Sequence, residues 1–250
     1  MASIPDIPER YSWAWKEEPR SSHHATAGGK FKFASLQYFL AILCAVFAGI
    51  GFFVPAKEGP VVGFSVGVVF VILAIASIVW GIVTTLRVIS IVDVYPSGVL
   101  WLQNGDWVGG RWEDLEVYVN GSLSKKHIGI TTTDGQKAEL HYFLSDWKTM
   151  ADTIVMETTI RKVPEAMVRF DAGETIRFGD AAIDREGLKV GKNRYRFEDL
   201  TNIVLANGMI QLLKRGQKGI CDAITFGSTP NYMVLLKLLD VSDASRVQVG

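Results

Sequence analysis

The chain has 250 residues, 48% of them hydrophobic, with 26 basic and 26 acidic side chains and no formal net charge. Balanced charge excludes bulk attraction to nucleic acid, which draws on a basic excess. That hydrophobic share is high for a soluble protein, and the length allows one large domain or two small ones, so the apolar surplus has to be located along the chain.

Residues 1–33 are rich in Pro, Ser, Gly and charge, with no sustained apolar period, and read as a polar N-terminal segment. Trp13 and Trp15 stand out in it. A pair of tryptophans can lie on lipid headgroups, dock on a partner or pack onto the protein's own domain. His23 and His24 are adjacent without another histidine nearby, which is a weak metal signal and reads as solvated tail.

The surplus lies in residues 34–54 and 61–86, two runs without a charged side chain. At ~1.5 Å per residue each can cross a hydrocarbon core of ~30 Å. The link "PAKEGP" is short enough to make residues 34–86 an antiparallel transmembrane hairpin. The first run begins too far in, and is too long, for a cleavable signal peptide. Arg20, Lys30 and Lys32 precede it and Arg87 follows the second run, against Lys57 in the link, so the positive-inside rule puts both termini in the cytoplasm. Gly63 with Gly67, and Ala45 with Gly49, have the spacing that lets helices approach closely in lipid, within the hairpin or against a partner. Cys44 falls inside the first run, so a disulfide with Cys221 is not expected, and neither cysteine has zinc-site spacing.

After the membrane the apolar period becomes two. Residues 87–163 read as short antiparallel strands with hairpins at Asn104-Gly105 and Asp134-Gly135, an Asn120-Gly121 turn, and a helix capped by Ser145 and ended by Pro164. Residues 164–250 repeat the order and close on a helix capped by Thr229 with Pro230 at its first position. The pentapeptide "RWEDL" (residues 111–115) recurs as "RFEDL" (196–200), and Gly98 and Asn120-Gly121 have counterparts in Gly187 and Asn207-Gly208. The matches, in order, point to a unit built twice. An aromatic and a leucine three residues apart reach the same core only if the two acids between them form a turn, so Asp114 and Asp199 read as fold-makers.

These residues resemble pleckstrin-homology-like domains of the bacterial membrane-tethered kind. Over about residues 30–241 the chain is similar to an uncharacterised family with two membrane helices followed by tandem PH-like units, whose "VxVYxxG", "RWxDI" and "IPN" positions compare with "VDVYPSG", "RWEDL" and "TPN" here. The fold class expected is thus a membrane protein: a two-helix transmembrane hairpin plus a β-rich α+β region of two tandem PH-like units, each a set of antiparallel strands closed by a helix. The resemblance implies a bacterial inner-membrane protein with a binding or scaffolding role, in a homo-oligomer or with a protein partner.

PH domains that bind phosphoinositides carry basic residues in their loops. Here the candidates for anionic-lipid or partner contact are Lys125, Lys126, Lys189, Lys192, Arg194, Lys214, Arg215 and Lys218, with Arg196 nearby; their interleaving with acids also suits a plain solvated face. No P-loop, Rossmann, nucleophile-elbow or HExxH motif is present. His127 and His141 lie on the two arms of one hairpin without a carboxylate or thiol set. No catalytic residue, metal or cofactor is expected. The reading is a non-enzymatic, membrane-anchored interaction module, with an anionic-lipid sensor as the alternative.

Overall fold

A computed structural model describes residues 6–25, 27–53, 60–87, 89–120, 127–142, 144–242 and 247–249. The expected Gly121 turn residue, Lys125, Lys126 and most of the interhelical link lie outside them. The elements, in chain order, begin with β1 (Ser21–His24), α1 (Ala27–Phe53) and α2 (Pro60–Arg87). They continue through β2 (Ile91–Val94), β3 (Gly98–Gln103), β4 (Asp106–Arg111), β5 (Leu115–Asn120), β6 (His127–Thr132), β7 (Lys137–His141) and α3 (Trp147–Asp171). A second series follows: β8 (Ile176–Phe178), β9 (Ala181–Asp184), β10 (Gly187–Val190), β11 (Asn193–Arg196), β12 (Leu200–Ala206), β13 (Met209–Lys214), β14 (Ile220–Thr225), α4 (Tyr232–Val241) and β15 (Val247–Val249).

Among the described residues the strands form four sheets, in the orders β1-β2-β3-β4, β5-β6-β7, β11-β10-β9-β8 and β14-β13-β12-β15. The fold is therefore α+β with antiparallel sheets, apart from the parallel pair of β12 with β15. One core gathers Val92, Val99, Trp101, Trp112, Leu115, Ile130 and Ile154; another gathers Phe170, Ile183, Leu188, Leu200, Ile203, Leu212 and Leu235. We call the elements around them the first and second units.

The element order repeats, and so does local detail. Trp112–Asp114 and Phe197–Asp199 each form one 3-10 turn, preceded by an extended arginine and followed by an extended leucine. The turn carries Trp112 and Leu115 into one core, as their spacing requires, and Trp112 also donates its indole N–H to the Pro96 carbonyl at 3.0 Å. Arg111 and Arg196 reach Glu113 and Glu198 at 4.0 and 3.1 Å, on the solvent side. Gly98 and Gly187 occupy the same site in both units, where a Cβ would strike the facing strand's carbonyl (Gly110 and Tyr195 respectively). The Asn104-Gly105 and Asn207-Gly208 turns all have positive φ, which asparagine and glycine tolerate.

The first unit starts before the helices. The polar segment of residues 1–33 was expected to stand outside it, yet Ser21–His24 pairs antiparallel with Ile91–Val94, so α1 and α2 are inserted between the first two strands of one sheet. β1 corresponds to β8, the first strand of the second unit. Four polar residues show no apolar alternation, which is why the strand is silent in the sequence. His23 is buried, with its ring nitrogens on the Ser145 carbonyl at 2.7 Å and the Ser21 hydroxyl at 2.8 Å, so it is a packed structural histidine and not solvated tail.

Residues 7–17 cover the outer face of that sheet. Tyr11 and Ala14 pack with Ile91, Tyr95, Leu100 and Trp107, and Trp13 meets Tyr95 edge-on at 5.7 Å. Glu17 anchors the strap by accepting from the Ser97 backbone N–H at 3.1 Å and from its hydroxyl. Trp15 stays exposed.

Three expected helix boundaries move. Helix α3 runs through Pro164 to Asp171 and is closed by Gly173, whose positive φ lets Gly173 and Glu174 bond back to Phe170 and Arg169. Proline interrupts the helix ladder, but the turns beyond it carry Ala166 and Phe170 into the second core while Met150 and Ile154 serve the first. Ser145 does not cap α3: its hydroxyl accepts from the His24 backbone N–H, and Asp146 holds the cap position. Thr229 is buried with its hydroxyl on the Thr225 carbonyl, and Asn231 holds the cap position of α4.

Helices α1 and α2 pack along small residues: Ala41, Cys44 and Ala48 on one, Gly67, Ala74 and Gly81 on the other. The expected partners differ in part, since Ala45 faces outward. A Cβ on Gly81 would lie 3.0 Å from the Tyr38 ring, and Phe47 stacks on Phe70 at 5.4 Å. The stretch Ser65–Val83 is long and apolar enough to cross a membrane; within α1 the apolar stretch among the described residues is the shorter Gln37–Ile50. Ile42, Ile50, Ile72, Ile75, Val79 and Trp80 are among many large apolar side chains left exposed.

Candidate functional site

The candidate basic residues that are described fall on two hairpins of the second unit. Lys189 and Arg194 are cross-strand partners on β10 and β11, with Lys192 in the turn between them; Lys214, Arg215 and Lys218 lie at the β13–β14 connection. Arg194 is not available as a free charge, because it donates to Asp184 at 2.8 Å and to Glu186 at 3.1 Å. Register explains the placement. Leu100 and Gly109 face each other in the first unit where Lys189 and Arg194 do in the second, and Tyr95 corresponds to Asp184. One outer face is apolar and covered by residues 7–17. Its counterpart is charged and open.

A cleft of about 640 Å³ lies where the strap meets the first unit. Arg10, Lys16 and Arg111 line it together with Glu17, Asp114 and Asp134. The opposite charges balance, so the cleft exerts no net pull on an anion. Arg10 donates to the Trp107 carbonyl at 3.1 Å and lies over the Tyr11 ring at 4.8 Å. Asp134 accepts from the Thr132 hydroxyl.

His127 and His141 are paired across β6 and β7 with ring centroids 5.4 Å apart. Burial pushes the His141 imidazole below its ordinary value; Glu139 at 3.6 Å opposes this and His127 adds to it. Asn120 Nδ2 lies 3.0 Å from His127 Nε2. Among the described residues no cluster of three His, Cys, Asp or Glu side chains has the arrangement of a metal site.

In the second unit, the Tyr195 hydroxyl donates to Asp222 at 2.9 Å, and burial together with that carboxylate pushes the phenol up to about 12. Burial works against ionisation of Asp222, but bonds from Asn193, Tyr195 and the Ala223 N–H win and hold its carboxyl below the ordinary value. Lys162 of α3 donates to the Glu113 carbonyl at 2.6 Å, so the first "EDL" turn is tied to the helix that joins the units. Burial lowers the Lys162 pKa against the pull of Glu116, Glu165, Asp114 and Glu113.

Sequence reasoning missed the contact that joins the units. Asn231, at the start of α4, donates its backbone N–H to the Val117 carbonyl at 2.8 Å and accepts the Val117 N–H on Oδ1 at 3.0 Å. The exposed edge of β5 is thereby closed by the second unit. The "TPN" motif was the available signal, but nothing in one sequence says that its asparagine reaches 114 residues back.

A family described as "Family of unknown function (DUF6585)" matches residues 29–248. No curated protein and no solved structure matches the chain.

Proposed function

We infer that the chain, which belongs to this family of unknown function, is a non-enzymatic interaction or scaffolding module that holds two tandem PH-like units against a membrane. The observation that carries the reading is the insertion of α1 and α2 between β1 and β2. Strands in one ladder lie on one side of a bilayer, so the chain between them crosses an even number of times. With α2 as one span, α1 is the other: its 27 residues reach ~40 Å, enough for the ~30 Å core. Both flanks of the hairpin are built into the same sheet, which fixes the first unit at the surface instead of leaving it on a tether. The flanking Arg and Lys residues favour the cytoplasmic side for that surface and for both ends of the chain, and the resemblance to membrane-tethered bacterial PH-like proteins suggests a bacterial inner membrane as the setting.

The test is affinity capture of the full chain from native membranes in mild detergent after crosslinking, beside the same chain in nanodiscs with and without anionic lipid. A stoichiometric protein partner or homo-oligomer is the expected result. A monomer without partners in both settings overturns the reading. Salt-sensitive clustering of anionic lipid that is lost in Lys189→Ala/Lys192→Ala and Lys214→Ala/Lys218→Ala variants would favour the lipid-sensor alternative.

A further inference from the structure

The two units turn the same sheet face to different company. In the first unit residues 7–17 lie over it, on Ile91, Tyr95, Leu100 and Trp107. Register carries Ser22, Asp93, Leu100 and Tyr95 onto Arg177, Ala182, Lys189 and Asp184 of the second unit. One row across β8, β9, β10 and β11 therefore reads Arg177, Ala182, Lys189, Arg194. Ile176, Phe178, Leu188 and Val190 belong to the second core, so the pleat turns Arg177 and Lys189 outward, where both are exposed. Two strand spacings put their Cα atoms ~10 Å apart. The small Ala182 side chain, 9% exposed, is the floor between them. From Ile176 to Arg196 the acids are Asp180, Asp184 and Glu186, and Arg194 holds the last two. Arg185 donates to the Asp171 carbonyl and Arg196 pairs with Glu198. That leaves Arg177, Lys189 and Lys192 against Asp180, a net basic surface.

We propose that this row is a docking site for an acidic, extended segment of a partner protein, with a carboxylate seated over Ala182 between Arg177 and Lys189. The inference rests on the module reading above and names its surface and the chemistry of its partner. The first unit shows that this face takes a chain segment laid over the strands. Lysine at position 189, where the first unit has Leu100, changes the complementary chemistry from apolar to acidic. Lipid headgroups can carry the same charge, but the path of α3 favours protein. The hairpin leaves and re-enters the first sheet beside His24 and Ile91, and α3 starts at that end, where the Ser145 N–H donates to the His24 carbonyl at 3.0 Å. At the other end of β1, Arg20 meets Glu157 at 2.6 Å. From there to Asp171 the helix runs ~21 Å further before β8 begins. Headgroup charge is screened over ~8 Å at physiological salt, so a row carried that far from the hairpin end meets protein in preference to lipid.

Fluorescence polarisation with the full chain in nanodiscs tests this. The probe is a labelled peptide of alternating Glu and Ser residues, long enough to cross the sheet, beside its Gln-Ser counterpart. In neutral phosphatidylcholine discs the Glu peptide should bind and the Gln peptide should not. Arg177→Gln/Lys189→Gln should weaken binding at least tenfold, whereas Lys148→Gln/Arg161→Gln, two exposed cations of α3, should change it less than twofold. Ala182→Glu, which puts a carboxylate of the chain's own on the floor of the row, should abolish binding while leaving the melting temperature in place. Affinity should stay within twofold in discs containing anionic phosphatidylglycerol. Failure of the Glu peptide to bind, equal loss in both double variants, or full binding by Ala182→Glu overturns the proposal. A tenfold loss in the anionic discs overturns it in favour of a row filled by headgroups. Capture of a stoichiometric partner from native membranes, at a yield that Arg177→Gln/Lys189→Gln leaves unchanged, overturns this surface and leaves the module reading standing.

Discussion

Replacing Asn231 by alanine tests the junction of the two units. The side chain has two roles. Its φ of +52° is in the left-handed region, which asparagine tolerates and alanine does not, at a cost of about 1–2 kcal/mol. Its Oδ1 takes the N–H of Val117, a residue only 3% exposed, and orphaning such a donor costs about 1–3 kcal/mol. Asn231→Ala should therefore destabilise the protein by roughly 2–5 kcal/mol, or about 4–20 °C in Tm at this chain length. Asn231→Gly relieves the backbone but not the orphaned donor, so about 1–3 kcal/mol remains. Asn231→Asp keeps an acceptor and a residue that visits the left-handed region, and should stay within ~1 kcal/mol of the parent. The assay is thermal unfolding of the nanodisc-embedded chain followed by tryptophan fluorescence. The order Ala worst, Gly intermediate, Asp mildest is the signature. Aspartate as damaging as alanine, or glycine as stable as the parent, would refute the assignment of both roles to this side chain.

Further outcomes follow from the cores and the hairpin. Trp112→Ala removes a fully buried indole and its bond to Pro96 and should cost about 3–5 kcal/mol, whereas Phe197→Ala, at the half-buried equivalent site, should cost clearly less; parallel melts compare them. Gly81→Leu drives a side chain into the Tyr38 ring and should destabilise the helix pair by about 1–3 kcal/mol, read as increased cysteine accessibility of Cys44, which is buried at the same contact. The folded state disfavours imidazolium at His141, while the unfolded chain takes up that proton near the ordinary value of 6.5. The unfolded state then binds more protons, so the contribution is intact above that pH and stability falls as pH drops through it. A His141→Gln variant should show a flatter dependence of Tm on pH between about 7 and 5.

How much was legible depended on the kind of signal. Periodicity and turn chemistry located β3, β4 and the Asn-Gly hairpins, because alternation and positive-φ residues are local facts. The repeated "WEDL" and "FEDL" read correctly as turns because their geometry follows from a spacing of three. Three things were not local. Ser21–His24 becomes a strand only because β2, on the far side of two helices, offers it a ladder. Pro164 fails to stop α3 because two cores, distant in sequence, hold the two halves of that helix. The basic candidates read as spread over several loops among acids, but which of them are ion-paired was not local: Arg194 is held by Asp184 and Glu186, and the other described members divide between two hairpins.

The interrupted first sheet also has a meaning in time. During synthesis Ser21–His24 leaves the ribosome first and must wait for residues 25–90 before its partner strand exists. For a spanning hairpin the wait is also spatial: the two strands meet only when both helices have been inserted and the chain has returned to the side it started from. A nascent chain that crosses once strands β1 and β2 on opposite faces of the bilayer. It then leaves β2 without its edge neighbour and His23 without Ser145, the very contacts that close the sheet. In the proposed two-span topology, completion of the first sheet therefore requires that both helices have been inserted and that the chain has returned to its starting side.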